Sequence, residues 1–549
     1  MALPQWPEWE KAINTELDML NQMGTWELAD APEDRKPITN KWVFVWKYNK
    51  DGELLKYKAR LIARGFSQVP GMDYNESFAL VVWLKTIHTI LALAVEEVWE
   101  IQQMDIKGAY LNGNLKEEIY MCQPEGFNDR TSHLCHLIKT IYGLKQSGQE
   151  WNHKLDKKLQ DQGFKRLQSD PCVYIWKMNS IEIITVWVDD LLLFTKYKDQ
   201  MNNLKWELGK LFEITDLGEL NKLVGIEIDQ DRQNGTLKIK QTKYIEAILE
   251  RYGMHNANPV TILLDPNVKL QPHKPDNHMP MTNGNYALIT GSLMYTTIGT
   301  WPDIAYAMNK LCSFNVNPDL VHWGATKRVL KYLKGTKTLE ITYKRGGANP
   351  NRLYGYADVS FTSETDVKSI SRYSFILNGG TITWSSWKQK GMVALSTPKA
   401  EYTAMAEASW GIMWLRNLYH KIGYTQNEPT LLYGDNQLVL TIVTNLQYHN
   451  RSRYFALDKH FIRKMIQMGA TRLEYCCMDD MIADVLTKAL PHEKHTQHTK
   501  HLGLTEAWGE VLWHKPQMAE YHNIVYYRDC TVFTSNRVYT YIRLSSLGA

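Results

Sequence analysis

Apolar residues recur three or four positions apart over residues 9–20, which predicts an amphipathic helix near the start of the chain. Residues 42–48 form a largely apolar segment that leads into a turn-forming sequence at residues 49–52. The segment that returns from this turn carries basic side chains on one face, at Lys56, Lys58, Arg60 and Arg64. We therefore predict a β-hairpin whose second strand is basic along one face.

A second hairpin is predicted over residues 181–194. The apolar runs IEIITVWV and LLLF flank Asp189 and Asp190, which we interpret as a two-residue turn. Further along, residues 256–290 are rich in Pro, Asn and His, which indicates a linker or a long connection. The segment HWGATKRVLKYLKGT (322–336) then predicts a basic helix, which either follows a phosphate backbone or is a solvated face.

The last third of the chain has an α/β pattern. Residues 351–390 alternate as strands do, and helices then alternate with a strand to about residue 491. Beyond that point no period is clear, and we predict no fold for the tail. Four histidines there recur every third residue, at His492, His495, His498 and His501. We interpret them as a solvated, weakly basic face, with metal chelation as the alternative.

Composition restricts the class of protein. The chain has 549 residues and a mass of 63.8 kDa, too large for one hydrophobic core, so we expect about three or four domains. With 63 Lys and Arg against 59 Asp and Glu, the net charge is +4, so any nucleic-acid groove requires local clustering of charge. No apolar run approaches the roughly 18 residues of a membrane span, and the N-terminus lacks a signal-peptide pattern. The seven cysteines include no C-x-x-C pair, which fits a reducing compartment.

The Asp189-Asp190 pair is the first feature with chemical content. Two carboxylates about 4 Å apart repel by roughly 4 kcal/mol at an effective dielectric of about 20, so a folded chain needs a cation or several donors beside them. Mg²⁺ accepts such ligands, and two-metal phosphoryl transfer needs a further carboxylate from a separate segment. Asp105, at the end of an apolar segment, could supply it. The alternatives are a polar turn for the pair and a helix cap for Asp105.

Four further acids are candidates in the last third of the chain. Asp358 lies in a strand, Asp435 ends an apolar strand, and Asp484 lies in a short helical segment. Glu401 leads an apolar helical stripe that runs from Met405 to Tyr419, so its buried carboxylate needs a partner such as a metal ion. For each acid alone, the alternative is a helix cap or a surface charge.

Several segments together identify a family. YKARLIARGFSQ (57–68), QMDIKGAYLNG (103–113), YGLKQSGQEW (142–151), WVDDLLL (187–193) and TDLGELNKLVGIEI (215–228) resemble the reverse transcriptase of copia-type LTR retrotransposons. The resemblance continues through GSLMY, PDIAYAM and KRVLKYLKGT into a ribonuclease H portion and covers roughly residues 6–504.

This resemblance implies an α/β and α+β multidomain protein, with a fingers–palm–thumb polymerase followed by a ribonuclease H-like domain. The implied boundaries are 1–255 for the reverse transcriptase, 256–347 for a connection, 348–491 for the ribonuclease H-like domain and 492–549 for a tail of unknown structure. Segment 215–228 is implied to form a hairpin that grips the primer end.

The resemblance also implies the site residues. In the polymerase the catalytic metal ligands would be Asp105, Asp189 and Asp190, and the nucleotide-binding residues would be Lys58, Arg60, Tyr110 and Gln146. In the ribonuclease H the catalytic metal ligands would be Asp358, Glu401, Asp435 and Asp484. From the residues alone, Lys58 and Arg60 could form a solvated strand edge, and Tyr110 could be core packing.

The implied cofactor is Mg²⁺, two ions per active site, for which Mn²⁺ can substitute. The implied partners are an RNA template, a DNA primer, an RNA–DNA hybrid and deoxynucleoside triphosphates, with no membrane, and the oligomeric state is left open. The implied location is cytoplasmic particles and the nucleus.

Some positions depart from the family pattern. Trp187 stands in place of Tyr before Val-Asp-Asp, and Ala79 and Gly148 each stand where Pro is usual. These changes surround acids that are retained, and altered surroundings can reduce metal affinity or activity tenfold or more. The alternative to an active enzyme is therefore an impaired copy that only binds nucleic acid or keeps only ribonuclease H activity.

Overall fold

The computed structural model of the protein describes residues 5–30, 32, 35–48, 53–177, 180–265, 268, 270–272, 283–360, 369–389, 397–444 and 458–506. The chain divides into two compact units. Unit 1 comprises Met1–Trp83 and Glu100–Glu219, and unit 2 comprises Leu84–Trp99 and Leu220–Ala549. The predicted domain boundaries after residues 255, 347 and 491 stay predictions.

Both units combine helices and strands, which confirms the predicted mixture of α/β and α+β architecture. The helices are α1 (Trp6–Gln22), α2 (Leu84–Glu96), α3 (Ser147–Asp161), α4 (Lys198–Leu211), α5 (Thr242–Arg251), α6 (Asn283–Gly299), α7 (Ala305–Cys312), α8 (Leu320–Thr336), α9 (Thr397–Lys421), α10 (Gln437–Thr444), α11 (Asp458–Gln467) and α12 (His492–His501). Short 3-10 helices span Gly65–Ser67, Ala109–Asn112, Pro302–Ile304 and Ile482–Leu486. Among the residues that the structure describes, no helix is both long and apolar enough to cross a membrane.

The strands are numbered in chain order. They are β1 (Trp26–Ala29), β2 (Asn40–Tyr48), β3 (Leu54–Ala63), β4 (Glu100–Ile106), β5 (Asn114–Met121), β6 (Leu134–Lys139), β7 (Lys165–Arg166), β8 (Val173–Lys177), β9 (Ile181–Trp187), β10 (Asp190–Thr195), β11 (Ile214–Glu219), β12 (Lys222–Leu223), β13 (Ile226–Asp231), β14 (Thr236–Lys240), β15 (Leu339–Lys344), β16 (Tyr354–Ser360), β17 (Ile370–Leu377), β18 (Gly380–Lys388), β19 (Thr430–Gly434), β20 (Thr471–Tyr475) and β21 (Leu504–Glu506).

Unit 1 contains a six-stranded sheet with the order β11-β4-β10-β9-β8-β7, a three-stranded sheet β1-β6-β5 and the hairpin β2-β3. The predicted helix over residues 9–20 lies within α1, whose buried Ile13 and Leu20 belong to the apolar side that the periodicity predicts. Trp9 of this helix packs edge-on against Tyr57 of β3 at a ring distance of 4.7 Å. The predicted hairpin is β2-β3, and its turn at residues 49–52 lies outside the described residues.

The second predicted hairpin is β9-β10, but its turn is displaced by one residue. Asp190 pairs with Trp187, so the turn residues are Val188 and Asp189 rather than Asp189 and Asp190. Val188 has a φ of 58°, a conformation that is costly for a β-branched residue. Alternation of apolar side chains cannot detect this displacement, because the register is decided by pairing with the neighbouring strand.

Unit 2 contains two five-stranded sheets. One has the order β12-β13-β14-β15-β21 and the other the order β18-β17-β16-β19-β20. In the second sheet β16, β17 and β18 form the predicted antiparallel meander, and β19 and β20 add in parallel. Helix α9 buries Met405, Ala408, Ile412, Leu415 and Tyr419, which confirms the predicted apolar stripe.

Helix α2 is the most buried helix of unit 2. Its residues 86–95 are all buried, as expected for a helix that is apolar all round. The Asn378 side chain donates to the carbonyl of Ala92 (2.8 Å), and the Asn351 amide donates to Glu97 Oε1 (2.7 Å) just beyond the helix. His88 stacks on Trp384 at 5.6 Å. These contacts attach α2 to the β16–β18 sheet.

The structure differs from three expectations for residues 215–506. Segment 215–228 is not one hairpin, because β11 pairs with β4 and only β12 pairs with β13. The basic helix is α8, but Arg328 and Lys334 donate to the carbonyls of Ile262 and Ala257, so its charges do not form one free stripe. The tail, for which no structure was predicted, contributes α12 and β21, and β21 pairs with β15.

The prediction that the four histidines form a solvated face is also wrong in part. His495 and His498 are buried, and within the described chain no hydrogen-bond partner lies near His495 Nε2 or either ring nitrogen of His498. A spacing of three residues turns a helix by about 300°, so successive members of the series are displaced around the helix and the middle two face the core.

Candidate active sites

The first candidate site lies in unit 1 where β4 and β10 run side by side. Asp190, the first residue of β10, is the Cα partner of Asp105 on β4. Asp189 precedes it in the turn, and its carbonyl accepts a hydrogen bond from the backbone of Ile106 (2.9 Å). The three acids therefore come from two adjacent strands and the turn that joins β9 to β10.

The turn that carries Asp189 is held by α3. The indole nitrogen of the buried Trp151 donates to the carbonyl of Val188 (2.7 Å), the residue with positive φ. A strained backbone conformation costs about 1–3 kcal/mol and persists only when its surroundings hold it. Trp151 is therefore a support for the position of Asp189.

Burial and mutual repulsion govern the charges of these acids. Burial, with Asp189 nearby, raises the pKa of Asp105, and Lys58 and Arg60 oppose that rise. Burial likewise raises the pKa of Asp190 to about 6, while a hydrogen bond from the Gln103 amide (2.8 Å) acts in the opposite direction. A bound cation would relieve both effects, because it compensates the carboxylate charges directly.

The basic hairpin supplies the positive side of this site. Lys58 and Arg60 lie on β3, opposite Val45 and Val43 of β2, and both are half-buried. Burial, the neighbouring Arg60 and Lys47 lower the pKa of Lys58 to about 8, whereas Asp105 raises it. The predicted cations and the predicted acids of the polymerase site are therefore close enough to interact electrostatically.

Tyr110 lies against the same group of residues. Its ring packs edge-on against Tyr142 at 5.2 Å, and the Arg60 guanidinium lies 5.1 Å from the centre of the Tyr142 ring. Burial and then Asp189 raise the pKa of Tyr110 to about 12, so its hydroxyl is neutral. Its placement fits the predicted sugar contact, which stays a prediction.

Gln146 has a structural environment. It is buried, accepts from Gln68 Nε2 (3.0 Å) and donates to the Asp73 carbonyl (2.8 Å) and to Glu117 Oε2 (3.2 Å). Its amide is thus engaged within the protein, and the structure supplies no direct support for the nucleotide contact predicted for it. That contact stays a prediction.

The second candidate site lies in unit 2. Asp358 on β16 and Glu401 on α9 are buried, and Asp435 follows β19. One carboxylate oxygen from each of these three lies within 4.8 Å of the others, and no other such group of three acid, His or Cys side chains occurs among the described residues. Asp484, on the 3-10 helix Ile482–Leu486, is buried and forms an ion pair with Lys488 (2.9 Å).

The electrostatics of the second site indicate that the charge of its carboxylates is only partly compensated. Burial and then Asp435 and Asp484 raise the pKa of Asp358 to about 7. Burial and then Asp358 and Asp435 raise the pKa of Glu401 to about 9. Glu401 Oε2 is buried, and among the described residues it has no hydrogen-bond partner. Oxygen donors from separate elements with an unpartnered buried oxygen are suited to a divalent cation.

Three supporting residues were missed by the sequence reasoning. Gln103 and Trp151 act through hydrogen bonds that join residues far apart in the chain, and no local pattern reveals these. Arg372 on β17 is the Cα partner of Asp358 and is buried. A charged residue within the apolar alternation of β17 is a signal that could have found it.

Comparisons with known proteins agree with the residue-by-residue resemblance. Residues 23–266 match the family described as reverse transcriptase (RNA-dependent DNA polymerase). The retrovirus-related Pol polyprotein from transposon TNT 1-94 of Nicotiana tabacum is 37% identical over 503 residues, which is 90% of this chain and 38% of that protein. The corresponding polyprotein from transposon RE1 of Arabidopsis thaliana is 36% identical, over 90% of this chain and 34% of that protein.

This chain therefore spans little more than a third of the length of these curated relatives. Among solved structures, the foamy viral protease-reverse transcriptase in complex with double-stranded DNA aligns with 85% of this chain and 70% of that chain, with a TM-score of 0.44 and 11% identity. That structural likeness is weak, so the family assignment rests on the sequence matches. Residues 23–266 are a reverse transcriptase domain, and the chain is related over 90% of its length to a part of the Pol polyproteins of copia-type transposons.

Proposed function

We propose that unit 1 catalyses RNA-directed DNA synthesis. The observation that carries this proposal is the grouping of Asp105, Asp189 and Asp190 opposite Lys58 and Arg60, inside a reverse transcriptase domain. Acids in this arrangement hold divalent metal ions, and the cations beside them attract a triphosphate. The substrates are an RNA template, a DNA primer and deoxynucleoside triphosphates.

Each residue then has a role in the transfer. Asp105 and Asp189 would hold two Mg²⁺ ions, with Asp190 as the adjacent carboxylate. Such ions, when bound, would activate the attacking hydroxyl and stabilise charge on the leaving oxygen. Lys58 and Arg60 bind the triphosphate, while the primer 3′-hydroxyl attacks the α-phosphorus and pyrophosphate leaves. Tyr110 lies under the deoxyribose and excludes a 2′-hydroxyl.

We propose a second activity for unit 2, hydrolysis of the RNA strand of an RNA–DNA hybrid. Asp358, Glu401, Asp435 and Asp484 would hold the two Mg²⁺ ions of this site, which would supply the activation of water for hydrolysis. The fit is supported by the unpartnered, buried Glu401 Oε2 and by the grouping of three carboxylates within 4.8 Å. A divalent ion would offset the burial and the mutual repulsion that raise the pKa values of Asp358 and Glu401.

Primer extension on an RNA template by the purified chain, with Mg²⁺ or Mn²⁺, tests the polymerase proposal. We expect extension by the unsubstituted protein and none above background by the Asp189→Asn/Asp190→Asn variant, because that variant lacks two of the metal ligands. Asp199→Asn, which makes the same type of substitution once at the exposed start of α4, is the control and should extend normally. Undiminished extension by the double variant would remove the site assignment.

A ribonuclease H activity without polymerisation is the second candidate function. It is favoured by the close grouping of the unit 2 acids, together with Trp187 beside Asp190 in unit 1. Cleavage of a labelled hybrid tests it, with Glu401→Gln as the inactive variant and the exposed Glu493→Gln as its control. Cleavage without extension supports this candidate, and hybrid binding without either activity supports an impaired, binding-only protein.

A further inference from the structure

Arg372 is a fully buried cation next to the acids of the second site. It lies on β17, directly opposite Asp358 on β16, so the two side chains project from the same face of the sheet. Its relative exposure is 0%, and neither terminal guanidinium nitrogen has a hydrogen-bond partner among the described residues. A buried guanidinium whose terminal nitrogens have no hydrogen-bond partner is costly, so its presence beside a group of carboxylates requires explanation.

Arg372 is also connected to the 3-10 helix that carries Asp484. Its Nε donates to Ser386 Oγ (3.0 Å), and Ser386 Oγ in turn donates to the carbonyl of Leu486 (3.4 Å). On its other side the guanidinium lies 5.4 Å from the centre of the Tyr306 ring. These contacts hold the charge of Arg372 between the strand of Asp358 and the helix of Asp484.

Other cations near the cluster differ from Arg372 in their exposure. Lys488 and Lys494 approach Asp484 at 2.9 and 3.8 Å, but their side chains are 49% and 28% exposed. Water and salt screen such charges, whereas a buried charge acts through a medium of low dielectric. Of these three cations, Arg372 is therefore expected to interact most strongly with the buried acids.

We propose that Arg372 is a fixed counter-cation of the Asp358, Glu401, Asp435 and Asp484 cluster, and that its charge lowers the affinity of this cluster for divalent metal ions. This inference rests on the proposed metal site in unit 2. Arg372 neutralises part of the carboxylate charge that would otherwise attract metal. A unit charge about 8 Å from a divalent ion, at an effective dielectric of about 20, changes binding by up to roughly a thousandfold. A tenfold change in metal affinity is well below this upper bound, so we take it as the smallest change that supports the proposal.

Mn²⁺ binding to the full chain, measured by titration calorimetry and by the electron paramagnetic resonance signal of free Mn²⁺, tests the proposal. An Asp105→Asn/Asp189→Asn background silences the first site, so that only the second is counted. Arg372→Met and Arg372→Gln remove the charge but fill much of the same space, and Arg372→Lys retains the charge. The control is Arg463→Met, which removes another buried guanidinium, one that donates to the Ile442 carbonyl (2.7 Å) on a different part of unit 2.

We expect both neutral variants to bind Mn²⁺ at least tenfold more tightly, and Arg372→Lys and Arg463→Met to stay within threefold of the parent. Unchanged or weaker binding in a folded neutral variant would overturn the proposal. If neither neutral variant folds, Arg372→Lys decides, because a changed affinity with the charge retained would contradict a role based on charge. If no variant binds Mn²⁺ at this site, the proposed metal site itself fails, which is distinguishable from binding that is present but insensitive to Arg372.

Discussion

Replacement of His495 should change how the stability of unit 2 depends on pH. His495 lies on α12, is buried, and packs edge-on against Tyr332 at a ring distance of 5.6 Å. Burial is the main reason that the pKa of His495 falls from 6.5 to about 4, with the nearby backbone of Asp303 acting in the opposite direction. The imidazole is therefore neutral in the folded protein at pH 7.5, and His495→Phe keeps an aromatic ring in the same place.

The sign and size of the effect follow from linkage. Between pH 6.5 and pH 4 the unfolded chain binds a proton at this histidine and the folded chain does not, so acidification through that range favours unfolding. A separation of 2.5 pKa units corresponds to about 3.4 kcal/mol when it is fully expressed. At pH 5.0 about 2 kcal/mol of this destabilisation is present, and at pH 7.5 almost none.

The assay is urea unfolding of the full chain at pH 7.5 and pH 5.0, with hydrogen–deuterium exchange of α12 as the readout for unit 2. The parent should lose about 2 kcal/mol more than His495→Phe over this change of pH. His492→Phe, the same substitution on the exposed side of α12, is the matched control and should behave as the parent. Equal pH dependence in the parent and in His495→Phe would refute the reasoning.

Three further predictions concern the two sites. Gly148→Ala would place a Cβ 2.5 Å from the Cβ of Ala79, so we expect a loss of about 1–3 kcal/mol in the free energy of unfolding of unit 1, and an unchanged value would contradict this contact. Trp151→Phe leaves the carbonyl of Val188 without its indole donor, so we expect a loss of about 1–3 kcal/mol in the free energy of unfolding and slower primer extension. Unaltered extension would show that the turn does not need this hydrogen bond. Metal binding at the second site should release about one proton at pH 7.5, because the pKa of Glu401 is about 9 without metal. Calorimetry in buffers of different ionisation enthalpy measures this release, and an equal release by Glu401→Gln would exclude Glu401 as the source of the proton.

Local pattern was sufficient for the elements that bury one face. The periodicity of residues 9–20 predicts a helix that lies within α1, and the apolar stripe that follows Glu401 is the buried side of α9. Helical and strand periods are repeated every few residues, so they can be read from a short segment without knowledge of its neighbours. Asp105 and Asp435 were likewise found from their positions at the ends of apolar segments, whereas the full set of acids was identified by the family resemblance.

Long-range pairing could not be read in this way. The turn lies at Val188 and Asp189 because Asp190 pairs with both Trp187 and Asp105, and that register depends on the two neighbouring strands together. Hydrogen bonds such as that from Trp151 to Val188 join residues that are 37 positions apart. Strand alternation is unchanged by which residues form the turn, so the sequence pattern does not contain this information.

The sequence by itself determined the family, several of the helices and hairpins, and the candidate acids. Only the tertiary structure decided which polar side chains are removed from water. His495 and His498 were interpreted as a solvated face, yet both are buried, and Arg372 was not singled out although it lies beside Asp358 with no exposed surface. Burial depends on what packs against a side chain from distant parts of the chain, and burial governs the pKa values and the compensation of charge on which the proposed chemistry depends.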